Sequence, residues 1–192
     1  MRRRAVRHIA LLRRAAALIA GGMGARSCGS CSLCCKIIGI AALDKPAGRW
    51  CPHFAKGAGC SIYGNTPAEC RTFNCTWLIT PKLGEEWRPD RCKLVMWTNK
   101  IGRLIVDVDA DYPNAWRREP YYAQLKAWSD RAGPSPLEVL VRAKDRMIVI
   151  FPEADIDLGP YDKSNSVASG YRTENGRQVP YAVFVPATRS NA

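Results

Sequence analysis

The stretch KLVMWTNKIGRLIVDVD, residues 93–109, reads as two strands, Lys93 to Thr98 and Arg103 to Asp109, joined at Asn99, Lys100, Ile101 and Gly102. β-Branched and aromatic residues fill both runs, and the Asn and Gly between them break the extended pattern, so this is a hairpin. Downstream, Pro120 follows Glu119 at a first helical position, and Tyr121, Leu125 and Trp128 recur at i, i+4 and i+7. That spacing predicts a helix over roughly 120–131, stopped by Gly133 and Pro134. Leu137 to Arg142 and Arg146 to Phe151 flank Lys144 and Asp145 as a second hairpin. Asn175-Gly176, between Ser166 to Arg172 and Gln178 to Val185, has the dipeptide a type I′ turn favours and predicts a third. The expected class is α+β: residues 79–186 form an antiparallel sheet with one packed helix, its core drawn from Val95, Trp97, Ile105, Val141, Ile148 and Ile150, and 187–192 are a tail.

Upstream of residue 79 the texture differs. Eight of the nine cysteines lie between Cys28 and Cys75, and none follows Cys92. The 192 residues suffice for a buried core, and 47% apolar with 24% charged residues excludes wholesale disorder. No run reaches the roughly 18 apolar residues of a membrane-spanning helix. Residues 1–26 carry seven arginines and no acid, so they hold seven of the formal +12 charges and leave +5 for the rest. Most of the basic signal therefore belongs to a terminal arm, and the remainder gives a nucleic-acid partner little support. The arm imitates an export signal, with a basic start and an apolar run from Ala15 to Ala20, but Arg13 and Arg14 interrupt the apolar region on its amino side, a pair that also fits a twin-arginine signal. A frayed basic helix, or residues upstream of the true start, is the plainer reading.

Cys28, Cys31, Cys34 and Cys35 form C-x-x-C-x-x-C-C, followed by Cys51, Cys60, Cys70 and Cys75. Two residues between cysteines let a tight turn aim both sulfurs at one ion while its backbone N–H groups bond the thiolates. Neighbouring side chains diverge, so Cys34 and Cys35 serve two metals or one multinuclear cluster. Disulfide scaffolds spread an even number of cysteines along the chain, whereas here the count is odd and the crowding local. Eight thiolates are two sets of four, which suits two tetrahedral zinc sites or two cubane iron–sulfur clusters. The C-x-x-C-x-x-C run with the distant Cys51-Pro52 pair points to iron–sulfur; Cys35 and the lack of a second such run point away from it. Cysteines separated by short glycine-bearing loops point to zinc. Soft thiolates exclude calcium and magnesium as the natural ion.

Cys28-x-x-Cys31-x-x-Cys34-Cys35, Trp50-Cys51-Pro52-His53-Phe54, Gly59-Cys60-Ser61-Ile62-Tyr63 and Pro67-x-x-Cys70-Arg71-x-Phe73-x-Cys75-x-Trp77 together resemble the YkgJ-like cysteine-cluster family, the CxxCxxCC domain described as zinc- or iron-chelating. The resemblance covers residues 27–78 and implies a metal-binding domain of the bacterial cytoplasm, with those eight cysteines as ligands. Thr66 departs from the pattern where such sequences often carry Arg. Cys92 lies outside it and reads as a small core residue. His53 and Arg71 are candidates for the surrounding shell, His53 as an additional ligand and Arg71 as a positive charge beside the thiolates.

Two further groups carry no site. Asp107, Asp109 and Asp111 fail the EF-hand spacing, since Tyr112 and Arg118 stand at its sixth and twelfth positions, and they read as a solvated sheet face. Glu153, Asp155 and Asp157 read the same way. No phosphate-binding glycine loop or hydrolase nucleophile motif is present. The expectation is a metal-binding protein with a structural or accessory role, the back half offering a surface to a protein partner. The alternatives are an iron–sulfur redox protein and a zinc-module nucleic-acid binder that uses the arm; whether the chain is an enzyme stays open.

Overall fold

A computed structural model describes residues 26–133, 137–161 and 164–186. The basic arm before Arg26, with its export-like run, Pro134, and the tail 187–192 lie outside the described residues. From Arg26 the chain passes through α1 (Leu33–Ile37), the short ribbon β1 (Phe54–Ala55) and β2 (Gly59–Cys60), then α2 (Ala68–Thr72), α3 (Thr76–Ile79) and α4 (Pro89–Cys92). Pro89 sits at the first position of α4, where its missing N–H is no loss. Lys93 then adopts a left-handed φ of 67° and turns the chain into the sheet.

The sheet has five strands in sequential order: β3 (Leu94–Thr98), β4 (Leu104–Val108), β5 (Val139–Ala143), β6 (Arg146–Ile150) and β7 (Asp155–Pro160). Between β4 and β5 lies α5 (Tyr121–Ser129), and the chain ends in a separate hairpin of β8 (Asn165–Glu174) and β9 (Arg177–Pro186). All three expected hairpins form. Asn175 and Gly176 have φ of 49° and 74°, the positive pair that a type I′ turn requires.

Alternating side chains of the sheet feed two cores. On one face Leu94, Met96, Val106, Val141 and Ile148 pack under α5 and the tryptophans Trp77, Trp87 and Trp116. On the other, Ile105, Leu140, Val149 and Phe151 meet Val167 and Ala182 of the final hairpin. Because both faces are covered, β4 is buried along its whole length. Leu125, with no exposed surface, anchors α5, and Tyr121 and Trp128 both pack against Trp87. Each fully buried side chain of this size contributes about 1.5–3 kcal/mol.

Three expectations need correction. The sheet is mixed, because β4 and β5 run parallel, with Leu104 beside Val139 and Val106 beside Val141. Parallel neighbours need a long crossover, and residues 109–138, with α5, supply it across one face. Asp107 and Asp109 are not solvated: they are 6% and 4% exposed. Asp107 takes Arg142 Nε at 2.5 Å, Arg142 Nη2 at 2.6 Å and Trp97 Nε1 at 2.8 Å. Of the acids after Phe151 only Asp155 departs from the solvated reading: it forms an ion pair with Lys126 at 2.7 Å and accepts from Tyr122, while Glu153 is exposed and Asp157, on β7, is exposed and paired with Arg146. The helix, expected over 120–131, spans Tyr121–Ser129. No helix among the described residues is long and apolar enough to cross a membrane.

Candidate metal centre

The cysteine segment is a chain of tight local structures, each ending on a sulfur. Cys31 N–H bonds the Cys28 carbonyl at 2.8 Å, closing the first C-x-x-C turn, and Cys35 N–H bonds the Ser32 carbonyl at 2.9 Å as α1 begins. Leu33 and Lys36 are the buried positions of α1, three apart and directed inward, while Cys34 and Cys35 between them are half-buried. Cys51 N–H reaches the Cys35 carbonyl at 3.0 Å, and Phe54 pairs with Cys60 across β1 and β2. Gly59, at φ +87°, brings β2 against the first turn, where a Cβ would stand 3.3 Å from the Gly29 carbonyl oxygen. Cys70 lies within α2, and Cys75 is the residue before α3.

These pieces place all eight cysteines of residues 28–75 around one cavity of about 140 Å³, whose other walls include Ile40, Ile62, Phe73 and Trp77. All nine cysteines of the chain are free thiols. Cys92 stands apart, fully buried in the sheet core with its Sγ 3.4 Å from the carbonyl oxygens of Trp87 and Leu94. The donor set around the cavity suits a soft metal, since it is almost wholly sulfur in apolar walls. As the side chains stand, no three or more His, Cys, Asp or Glu residues among the described residues converge on a point where an ion would sit.

Burial pushes the thiols of Cys28, Cys31, Cys70 and Cys75 above their ordinary range, and neighbouring cysteines add to the rise at Cys28 and Cys70. Cys34 and Cys35 share a hydrogen bond that raises the Cys34 pKa, with burial adding to it, and lowers that of Cys35 to about 7. Most of these thiols are therefore protonated at neutral pH, and a metal entering the cavity must displace their protons.

His53 and Arg71 do not line the cavity. The His53 backbone carbonyl accepts Ser61 N–H at 2.9 Å, and the Arg71 guanidinium is spent on the Thr66 carbonyl at an exposed position. The cations that do approach the sulfurs are Arg88, beside Cys31, and Lys45, both of which sequence inspection passed over because a lone cation in a loop carries no signal. Lys45 is 5% exposed and donates to the Lys36 carbonyl at 3.0 Å and to the Ile38 carbonyl. Burial lowers its pKa, against the pull of Cys51, Cys35, Cys34 and Cys70. Trp77 lines the same cavity, and its buried indole N–H has no acceptor among the described residues.

The cysteine segment is locked to the sheet rather than tethered to it. Lys36 Nζ lies 2.5 Å from both Asp109 Oδ1 and Asp111 Oδ2, joining the helix of Cys34 and Cys35 to the end of β4. Arg26, which the sequence placed in the arm, lies with its guanidinium 4.8 Å from the centre of the Trp77 ring and donates to the carbonyls of Trp77, Thr80, Pro81 and Leu83. Arg26 thus belongs with the cysteine segment rather than with the arm. Comparison with family models, with curated proteins and with solved structures finds no match to this chain.

Proposed function

We propose that this protein binds zinc or iron through Cys28, Cys31, Cys34, Cys35, Cys51, Cys60, Cys70 and Cys75, and that the bound metal serves a structural or accessory role beside the sheet. The observation that carries the reading is the shared cavity: eight cysteines spread over 48 residues face one apolar space, while the ninth is excluded from it. Buried sulfur without disulfides has few other uses, and the free thiols suit a reducing compartment such as the cytoplasm. The resemblance of residues 27–78 to the YkgJ-like cysteine-cluster family supports the same reading, and it rests on the eight cysteines and the companion residues between Trp50 and Trp77. The thiolates would hold the metal, rotating inward from the cavity wall as their protons leave. Ile40, Ile62, Phe73 and Trp77 would keep water from the sulfurs. Iron in sulfide-bridged form would supply one-electron chemistry; zinc would supply cross-linking.

Anaerobic purification followed by elemental analysis and an absorption spectrum tests this. The expected result is a protein carrying zinc or iron in amounts that fall in Cys34→Ser and Cys35→Ser and stay at the wild-type level in Cys92→Ser. A brown protein containing acid-labile sulfide assigns the iron–sulfur form, and a colourless zinc-loaded one assigns zinc. Metal-free protein from cells supplied with both metals, with no uptake on reconstitution, would refute the proposal.

A further inference from the structure

Among the described residues, the buried side-chain donors and acceptors find partners, with one exception. Arg88 Nε, Asp90 Oδ1 and Asp155 Oδ1 have no hydrogen bond, but each is held in an ion pair, Arg88 with Asp90 at 2.9 Å and Asp155 with Lys126 at 2.7 Å. Trp77 Nε1 is closed off from solvent and has no acceptor of any kind. Trp97 shows the ordinary arrangement, its indole N–H donating to Asp107 Oδ2 at 2.8 Å. A donor taken out of water and given nothing in return destabilises the fold. A phenylalanine would fill the same wall without that cost, so the N–H marks an acceptor that arrives with whatever fills the space beside it.

That space is the sulfur-lined cavity. Trp77 stands in its wall with the eight cysteines, and the side chains of Ile40, Ile62 and Phe73 in the same wall carry no acceptor. The ring is not free to turn elsewhere. It is buried in the core that packs under α5, and the Arg26 guanidinium lies over it, 4.8 Å from its centre. Arg26 is itself fixed by bonds to the carbonyls of Trp77 at 2.7 Å, Thr80 at 2.9 Å and Pro81 at 3.0 Å. A cation above the π face draws electron density from the indole and makes its N–H a stronger donor. The acceptor must therefore come to the ring, and a thiol that turns inward as it loses its proton becomes such an acceptor in doing so.

We propose that the Trp77 indole N–H donates to a metal-bound cysteine sulfur of this cavity, and that Arg26 holds the ring in place for that bond. This rests on the metal-binding reading above. A divalent ion held by four thiolates leaves a net charge of about −2, and an N–H bonded to sulfur offsets part of that charge where apolar walls keep water out. Trp77 is in this respect a positioning residue that supports a ligand without being one. The loaded state is then the one in which this part of the core has no unmet donor.

The test uses the full chain, reduced and oxygen-free, labelled with 15N and loaded with 113Cd2+, a soft ion that suits a thiolate site. An N–H···S–Cd bond carries a scalar coupling from the proton to the cadmium, so a proton–cadmium correlation should appear at the Trp77 indole N–H, its resonance moved downfield from the metal-free position. Cadmium bound by the wild type with no such correlation at Trp77 would overturn the inference and leave the metal-binding reading standing, and this measurement needs no variant to fold. Trp77→Phe, which keeps an aromatic wall, gives a second reading with Co2+. Its affinity against a competing chelator should fall by roughly 10- to 100-fold, the range for loss of a group supporting metal ligands. Its sulfur-to-cobalt charge-transfer band should also move to longer wavelength at unchanged stoichiometry, because a thiolate without its hydrogen bond gives up electron density more easily. Weaker binding with an unmoved band would mean that Trp77 only fills the wall, and would overturn the donor assignment. Arg26→Ala should keep the bound cadmium and weaken the coupling at Trp77; an unchanged coupling would overturn the part given to Arg26. A wild type that takes up neither Cd2+ nor Co2+ refutes the metal-binding reading itself, and this inference falls with it.

Discussion

Substituting Asp107 by Asn should destabilise the fold far more than its place in an alternating run of acids suggests. Its carboxylate is buried between β3 and β5, receives two bonds from Arg142 and one from Trp97, and the Arg142 guanidinium also lies 5.6 Å from the centre of the Trp97 ring. Asn retains an acceptor for Trp97 and removes the charge, leaving the guanidinium with a neutral partner. Breaking a buried pair from one side costs about 3–5 kcal/mol. The Arg142 side chain is 26% exposed and recovers some hydration, so the lower end, about 3 kcal/mol, is expected here. For a chain of this size that is roughly a 6–12 °C fall in Tm. Urea unfolding followed by tryptophan fluorescence, with metal content held constant, reads the effect. Arg142→Met should cost a similar amount, while Asp107→Leu with Arg142→Met should lie within about 1.5 kcal/mol of wild type, because an apolar pair leaves no orphaned charge. A single-variant cost below about 1 kcal/mol, or strictly additive costs, would mean the pair behaves as a solvated surface contact and would refute the argument.

On the metal-binding proposal, stripping metal under reducing conditions should expose the amides of residues 27–75 to hydrogen exchange while the strands from Leu94 onward stay protected, since Leu33 and Ile40 are the only buried large hydrophobic side chains described before Trp77; simultaneous loss of protection in both would show a single cooperative unit. In that stripped protein iodoacetamide should label the cysteines of residues 28–75 readily, whereas Cys92, held up to about 12 by burial in the sheet core, should react only after the sheet unfolds. Peptide mapping at pH 6 and 8 checks the order, and an early label on Cys92 would contradict it. Removing residues 1–25 should leave metal content and stability unchanged, but Arg26→Ala in the same protein should lower stability by about 1.5–3 kcal/mol through its lost carbonyl contacts, as chemical denaturation would record.

Local pattern alone determined several features. The three hairpins, the helix that follows Pro120 and the concentration of sulfur before residue 79 follow from period-two runs, turn dipeptides and an i, i+4, i+7 repeat, all of which act over a few residues. The spacing of Cys28, Cys31 and Cys34 likewise marks a chelating turn without reference to anything distant. What local pattern does not carry is which strand lies beside which and which charge meets which. The Asn-Gly turn of the last hairpin fixes its own pairing, but only packing of the crossover helix on one face puts β5 parallel to β4. That placement sets Arg142 beside Asp107 and buries acids that read as solvated. Lys45 and Arg26 were illegible for the same reason: each is a lone cation whose role comes from partners that the fold brings to it, carbonyls and thiols in one case and the Trp77 ring with four carbonyls in the other. Desolvation and charge pairing act through space, so tertiary structure decides them, while the sulfur count and the turn chemistry belong to the chain itself.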